Sequence, residues 1–104
     1  GMRAAHTPEP TRPIAFVPLG EVAERMALGL THALRRDGHV VDMAFRGNLN
    51  RRMKRANKIN ASLALILGED EIAKGMITVR DLDEGGQQDV DLDAIGLHLR
   101  KLIS

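Results

Sequence analysis

"LALILGEDEIAKGMITVRDLDEGGQQ", residues 63–88, decides the fold of this 104-residue chain. It opens on an uninterrupted apolar run, Leu63–Leu67. A run this short, with no polar face, reads as a strand buried on both sides, as in a parallel sheet. Gly68 ends it. The acidic residues Glu69, Asp70 and Glu71 then stand at the carboxyl end of that strand, where open α/β sheets bind ligands. There they could hold a metal or accept from base edges, or, as is commoner, simply cap a short helix over residues 71–74. Residues 76–80 alternate: Met76, Thr78 and Arg80 share one face, Ile77 and Val79 the other, which is a half-exposed strand. Gly85 and Gly86 turn the chain, and residues 88–90 read as a short last strand.

Working outward, Asn48 is placed to cap a helix over residues 49–60. At about 100° per residue, Leu49, Met53, Ala56 and Ile59 fall on one side, and Arg51, Lys54, Arg55 and Lys58 on the other. Before it, residues 40–45 form a strand. Residues 21–37 form a helix with an apolar stripe of Val22, Met26, Leu30, Ala33 and Leu34, stopped by Gly38. Residues 14–17 form the first strand, ended by Pro18. Downstream, Asp91 caps a final helix whose stripe is Leu92, Ile95, Leu99 and Leu102. The order β-α-β-α-β-β-β-α defines an α/β domain. Right-handed crossovers make its first three strands parallel, and the hairpin adds an edge in mixed orientation. Residues 1–13, with Pro8, Pro10 and Pro13, read as a tail or linker before a domain over residues 14–104. Gly1 before Met2 reads as a cloning scar. Together with the proline-rich start, it favours a domain cut from a longer chain over a free-standing copy.

Composition excludes several classes. Apolar residues are 43% and charged residues 28%, an ordinary globular balance. No apolar run approaches the roughly 20 residues of a membrane-spanning helix. Cysteine is absent, so disulfides and thiolate metal sites are excluded. The net charge of +1 conceals a separation. Residues 46–58 hold six bases (Arg46, Arg51, Arg52, Lys54, Arg55, Lys58) and no acid, whereas residues 81–93 hold six acids and no base. A segregated basic segment suits a chain that meets polyanions on one side. Phe16 and Phe45 are the only aromatic residues, so guanidinium and amide groups must carry most of any RNA recognition.

Catalytic signatures are missing. There is no GxGxxG and no GxxxxGK[ST]. His6, His32, His39 and His98 show no metal-ligand spacing, and neither Ser62 nor Ser104 is placed as a nucleophile. No metal site is expected. The basic helix face is either a phosphate-binding surface or a solvated one.

The stretch "ALILGEDEIAKGMITVRDLDEGGQQ", residues 64–88, closely resembles the C-terminal anticodon-binding domain of bacterial histidyl-tRNA synthetases, a class II family. "RGNLNRRMKRANKINA", residues 46–61, resembles the same family's basic helix with its KRA-x-K core, and the "PLG" turn at residues 18–20 agrees. The resemblance implies a three-layer α/β/α domain with a mixed five-stranded sheet and three flanking helices. It implies a cytoplasmic partner, tRNA(His), read at a guanine-rich anticodon. In related anticodon domains an acid after the third strand and a base at the end of the fourth read anticodon bases; by position these are Glu71 and Arg80. A carboxylate accepts from guanine's amino edge, and an Arg fork donates to O6 and N7. Asn48, Asn57 and Gln88 are amides suited to base edges, and Arg46, Arg51, Lys54, Arg55 and Lys58 would hold phosphates. The domain itself has no catalytic site and needs no cofactor. ATP and Mg belong to an absent catalytic domain of a parent ligase, which is expected to be a homodimer away from membranes. Two other readings compete: a protein-interaction or dimerisation module, with the acidic segment of one copy meeting the basic helix of the next, and a flavodoxin-like small-molecule domain, disfavoured by the missing phosphate loop.

Overall fold

In the computed structural model, residues 12–44 and 47–103 are described. They form β1 (Ile14–Pro18), α1 (Glu21–Arg36), β2 (Val41–Met43), α2 (Leu49–Lys58), β3 (Leu63–Leu67), α3 (Glu69–Lys74), β4 (Met76–Asp81), β5 (Gln87–Asp91), one 3₁₀ turn (Leu92–Ala94) and α4 (Ile95–Ile103). The expected order stands, with the short α3 added between β3 and β4. The five strands lie in the order β2-β1-β3-β4-β5. β1 pairs in parallel with β2 and β3, while β3–β4 and β4–β5 are antiparallel. β2 and β3 flank β1 on opposite sides, so crossovers of the same hand carry α1 and α2 to opposite faces of the sheet.

The two faces are unequal. Paired residues share a face, so the register puts Ile14, Phe16, Leu63, Leu65, Leu67, Ile77 and Val79 on one side. There they pack with Ala23, Ala27 and Leu34 of α1 and Ile95 and Leu99 of α4 into the main core. Full burial of a side chain such as Phe16, Leu65 or Leu99 contributes about 1.5–3 kcal/mol each. The other face carries Ala15, Ala64, Ile66, Thr78 and Arg80. Among the helices, α2 supplies its cover, packing Ala56 beside Ala15 and Ala61 in a small second cluster. A helix about 10–12 Å across covers roughly two strands spaced about 4.8 Å apart. Ala64 of β3 is still fully buried, and beyond it the β4–β5 side of that face has no described helix over it.

Several local expectations change. The buried stripe of α1 is Ala23, Ala27, Thr31 and Leu34. Val22 is 51% exposed and Ala33 is also exposed; small residues let α1 lie close on the sheet. β2 spans only Val41–Met43, and Phe45 lies outside the described residues. Asp91 ends β5 and makes no side-chain cap; the chain enters α4 through the 3₁₀ turn instead. Leu102 is half exposed rather than core.

Arg12, in the stretch read as linker, is fastened to the domain. Its guanidinium donates to both carboxylate oxygens of Asp83, at 2.8 and 2.9 Å, and to the carbonyls of Asn60 and Ala61. This hydrogen bonding holds the Asp83 carboxyl below the usual carboxylate range. A carboxyl with a lowered folded pKa stabilises above its unfolded pKa of about 3.9, and that contribution is lost as pH falls through the lower folded value. Asp83→Asn should therefore lower the thermal midpoint at neutral pH, with the difference from the parent shrinking in acid. The contact is surface-exposed, so the shift should be small and reduced by salt.

Candidate nucleic-acid interface

The open half of the sheet forms a cleft of about 610 Å³. Leu19, Gly20 and Gly68, at the carboxyl ends of β1 and β3, close one end; Thr78, Arg80 and Gln87 supply the strand wall, and Leu49 the helix wall. It thus begins at the topological switch point between β1 and β3, where α/β sheets open a crevice. Glu71 lines the same cleft, so the structure brings Glu71 and Arg80 together.

Their states differ. One carboxylate oxygen of Glu71 accepts the Gly68 amide at 2.7 Å, capping α3. Both expected roles of the acidic triplet, cap and cleft wall, thus coincide on one residue. A Cβ on Gly68 would meet that oxygen at 2.9 Å, so glycine is what lets the carboxylate fold back over the backbone. Arg80 is half buried, and its side chain has no hydrogen-bond or ion-pair partner among the described residues. Its donor fork is therefore not committed to a partner within the domain.

α2 sorts its side chains into arcs. Arg52 is buried, against the expected stripe, with only 9% of its surface exposed. It donates to the carbonyl of Pro18 at the end of β1 and, at 2.9 Å, to that of Gly47. These contacts roll the helix so that Leu49, Asn50, Met53 and Asn57 face the open half of the sheet instead of the core. On a wheel of about 100° per residue, Lys54, Lys58 and Arg51 follow next, as an exposed cationic ridge beside the cleft.

The remaining expected residues fall outside the cleft or are already engaged. Arg55 sits on the far side of α2 and grips both oxygens of Asp42 on β2, at 3.1 and 3.2 Å, which raises its pKa. Its guanidinium is thus engaged within the domain, in a surface-exposed pair. Asn48 spends its side-chain oxygen on the N-cap, accepting from the Arg51 amide at 2.9 Å. Gln88 is on the opposite face of the sheet, paired in register with Val79 and within 3.2 Å of His98. Strand alternation makes Gln87, opposite Arg80, the glutamine of the cleft. Arg46 lies outside the described residues. Sequence reading missed Gln87 and Asn50; the pairing register was the signal needed for the first, and the roll of α2 for the second. Of the acidic segment, Asp83 binds Arg12, Asp89 accepts from Thr78 at 2.8 Å, and Asp81 caps the turn amides of Asp83 and Glu84. Less of that surface is left for a second copy. Among the described residues no His, Asp or Glu cluster could hold a metal ion, and no helix is long and apolar enough to cross a membrane.

A cationic ridge beside a polar cleft on one face of the sheet is the arrangement of an α/β module of the nucleic-acid-binding class. Comparison with known proteins makes the class specific. Residues 14–102 match the family model described as an anticodon binding domain. The histidine–tRNA ligase of Rhodospirillum rubrum is 48% identical over 92 residues, covering 88% of this chain and 22% of that protein. That of Gluconacetobacter diazotrophicus is 45% identical over 96 residues, 92% of this chain and 23% of the relative. The crystal structure of apo S. aureus histidyl-tRNA synthetase superposes with a TM-score of 0.79 at 25% identity, over 85% of this chain and 26% of that one. The chain belongs to the anticodon-binding domain family of aminoacyl-tRNA synthetases, a family whose members bind tRNA. It spans about a quarter of the length of the curated relatives it matches.

Proposed function

We propose that this domain reads the anticodon loop of tRNA(His) for a histidine–tRNA ligase. The parent's aminoacylation, with ATP and Mg, is carried by a catalytic domain outside this chain, in a cytoplasmic homodimer. The observation that carries the reading is the unpaired Arg80 guanidinium facing the cleft that Glu71 also lines. An Arg fork donates to guanine O6 and N7, and the free oxygen of Glu71 accepts from an amino edge. Similarity to histidine–tRNA ligases supports the choice of tRNA.

The test is a titration with a labelled tRNA(His) anticodon stem-loop against the same stem-loop with a swapped anticodon, at two salt concentrations. The cognate preference should survive added salt. Equal binding of both loops that vanishes with salt would sink the proposal. The ridge gives a companion prediction. Lys54→Ala should weaken both loops by a similar factor and flatten the dependence of log K on log[salt] by about 0.7, the loss of one phosphate contact to a single strand. Arg55→Ala, by contrast, should leave that slope nearly unchanged, because its charge is held by Asp42.

A further inference from the structure

Arg80 lines two clefts. Adjoining the larger one is a second, of about 240 Å³, walled by Asn50, Met53 and Asn57 of α2 and by Leu82 and Gly85 of the β4–β5 hairpin, with Arg80 and Asp81 between. The three α2 residues are spaced by three and four, so they form one row along the helix. Asn50 and Asn57 lie two turns apart, about 10.5 Å along the axis, with half-buried Met53 between them. The side chains of Asn50 and Asn57 have no hydrogen-bond partner among the described residues. Each amide offers two donors and one acceptor, enough to meet a base edge of either kind. A thioether is polarizable and packs well against aromatic rings. In a chain with so few aromatic side chains, a methionine flanked by free amides is the nearest available equivalent of a base-stacking platform.

Resting on the anticodon reading above, we propose that the smaller cleft holds a second unstacked nucleobase, the neighbour of the one held by Glu71 and Arg80. Met53 contacts its ring face, and Asn50 and Asn57 bond its edge. Arg80 forms the wall shared by the two bases, so it senses both positions, whereas Glu71 and Asn57 each sense one. The strand's phosphates then follow the ridge of Lys54, Lys58 and Arg51, which borders the Asn50–Asn57 row on the same helix.

The test uses the labelled stem-loop intact and in versions that each lack the base at one anticodon position. Asn57→Ala and Met53→Ala should each weaken the intact loop by about tenfold, the ordinary loss for one stacked base. Against one particular abasic loop, and only that one, both variants should bind as the unaltered domain does. Glu71→Gln should lose its effect on a different abasic loop. Asn57 is exposed, so N57A carries the test even if M53A lowers the thermal midpoint. Equal losses for N57A on every abasic loop, or no loss on the intact loop, would overturn the second base site while leaving anticodon selection standing. Failure of the unaltered domain to prefer the cognate loop would overturn the anticodon reading, and this inference with it.

Discussion

Arg80→Ala is expected to cut affinity for the cognate anticodon stem-loop by about 1–3 kcal/mol, roughly five- to 150-fold, with a far smaller effect on a swapped-anticodon loop. Arg80 stands on β4 opposite Ala64 and Gln87, half buried in the uncovered half of the sheet. Its side chain makes no hydrogen bond or ion pair among the described residues. Its removal breaks nothing inside the domain, so the thermal midpoint should stay within the small range of surface substitutions. Loss of binding without loss of stability is what separates a ligand-facing arginine from a structural one. Arg80→Lys should restore part of the non-specific attraction but not the discrimination, because an ammonium lacks the planar two-donor fork. Equal loss on cognate and swapped loops would remove Arg80 from base reading and make it one more phosphate contact.

Arg52→Met is expected to do the opposite, lowering stability by about 2–3 kcal/mol. The methionine keeps most of the apolar stem but removes the donors to Pro18 and Gly47. The Pro18 carbonyl is buried where β1 gives way to the Leu19–Gly20 turn, so it loses a charge-assisted partner with little water to replace it. For a domain of this size the thermal midpoint should fall by about 10 °C or more. Melting the purified variant checks this. A midpoint within about 2 °C of the parent would mean that the buried guanidinium contributes no net stability, as buried ionic groups sometimes do not. At a temperature where the variant is folded, its salt slope should be unchanged, since Arg52 is not on the ridge.

The two arginines mark the limit of a helix wheel. Arg51, Arg52, Lys54 and Arg55 sit within five consecutive positions of α2 with the same formal charge, yet they do different things. Arg52 is buried, Arg55 is bonded to Asp42, and Arg51 and Lys54 remain on the exposed ridge. The wheel gave Arg52 no role, although its angle lies beside Ala56 on the sheet-facing side. It assigned Arg55 to phosphates because nothing in the local pattern shows that Asp42, thirteen residues earlier on a neighbouring strand, comes within bonding distance. It gave Leu49 and Met53 to the core because apolar residues usually point inward. Adjacent Gln87 and Gln88 carry no register of their own, so the pattern does not show which of them faces the cleft.

The sequence by itself determined the element order, the parallel start of the sheet and its mixed-orientation edge, the alternation that puts Thr78 and Arg80 on one face, and the family. These follow from local periodicity, from turn residues such as Gly68 and Gly85, and from motifs contiguous in the chain. The resemblance paired Glu71 with Arg80, but only the tertiary structure set Gln87 beside them and the Asn50–Met53–Asn57 row along an adjoining cleft. Glu71, Arg80, Gln87 and the Asn50–Met53–Asn57 row belong to four separate elements. Their meeting depends on strand register, on the roll of α2 imposed by Arg52, and on the fact that one helix is too narrow to cover one face of a five-stranded sheet. Each of these is set by groups distant in sequence, so no window along the chain contains them.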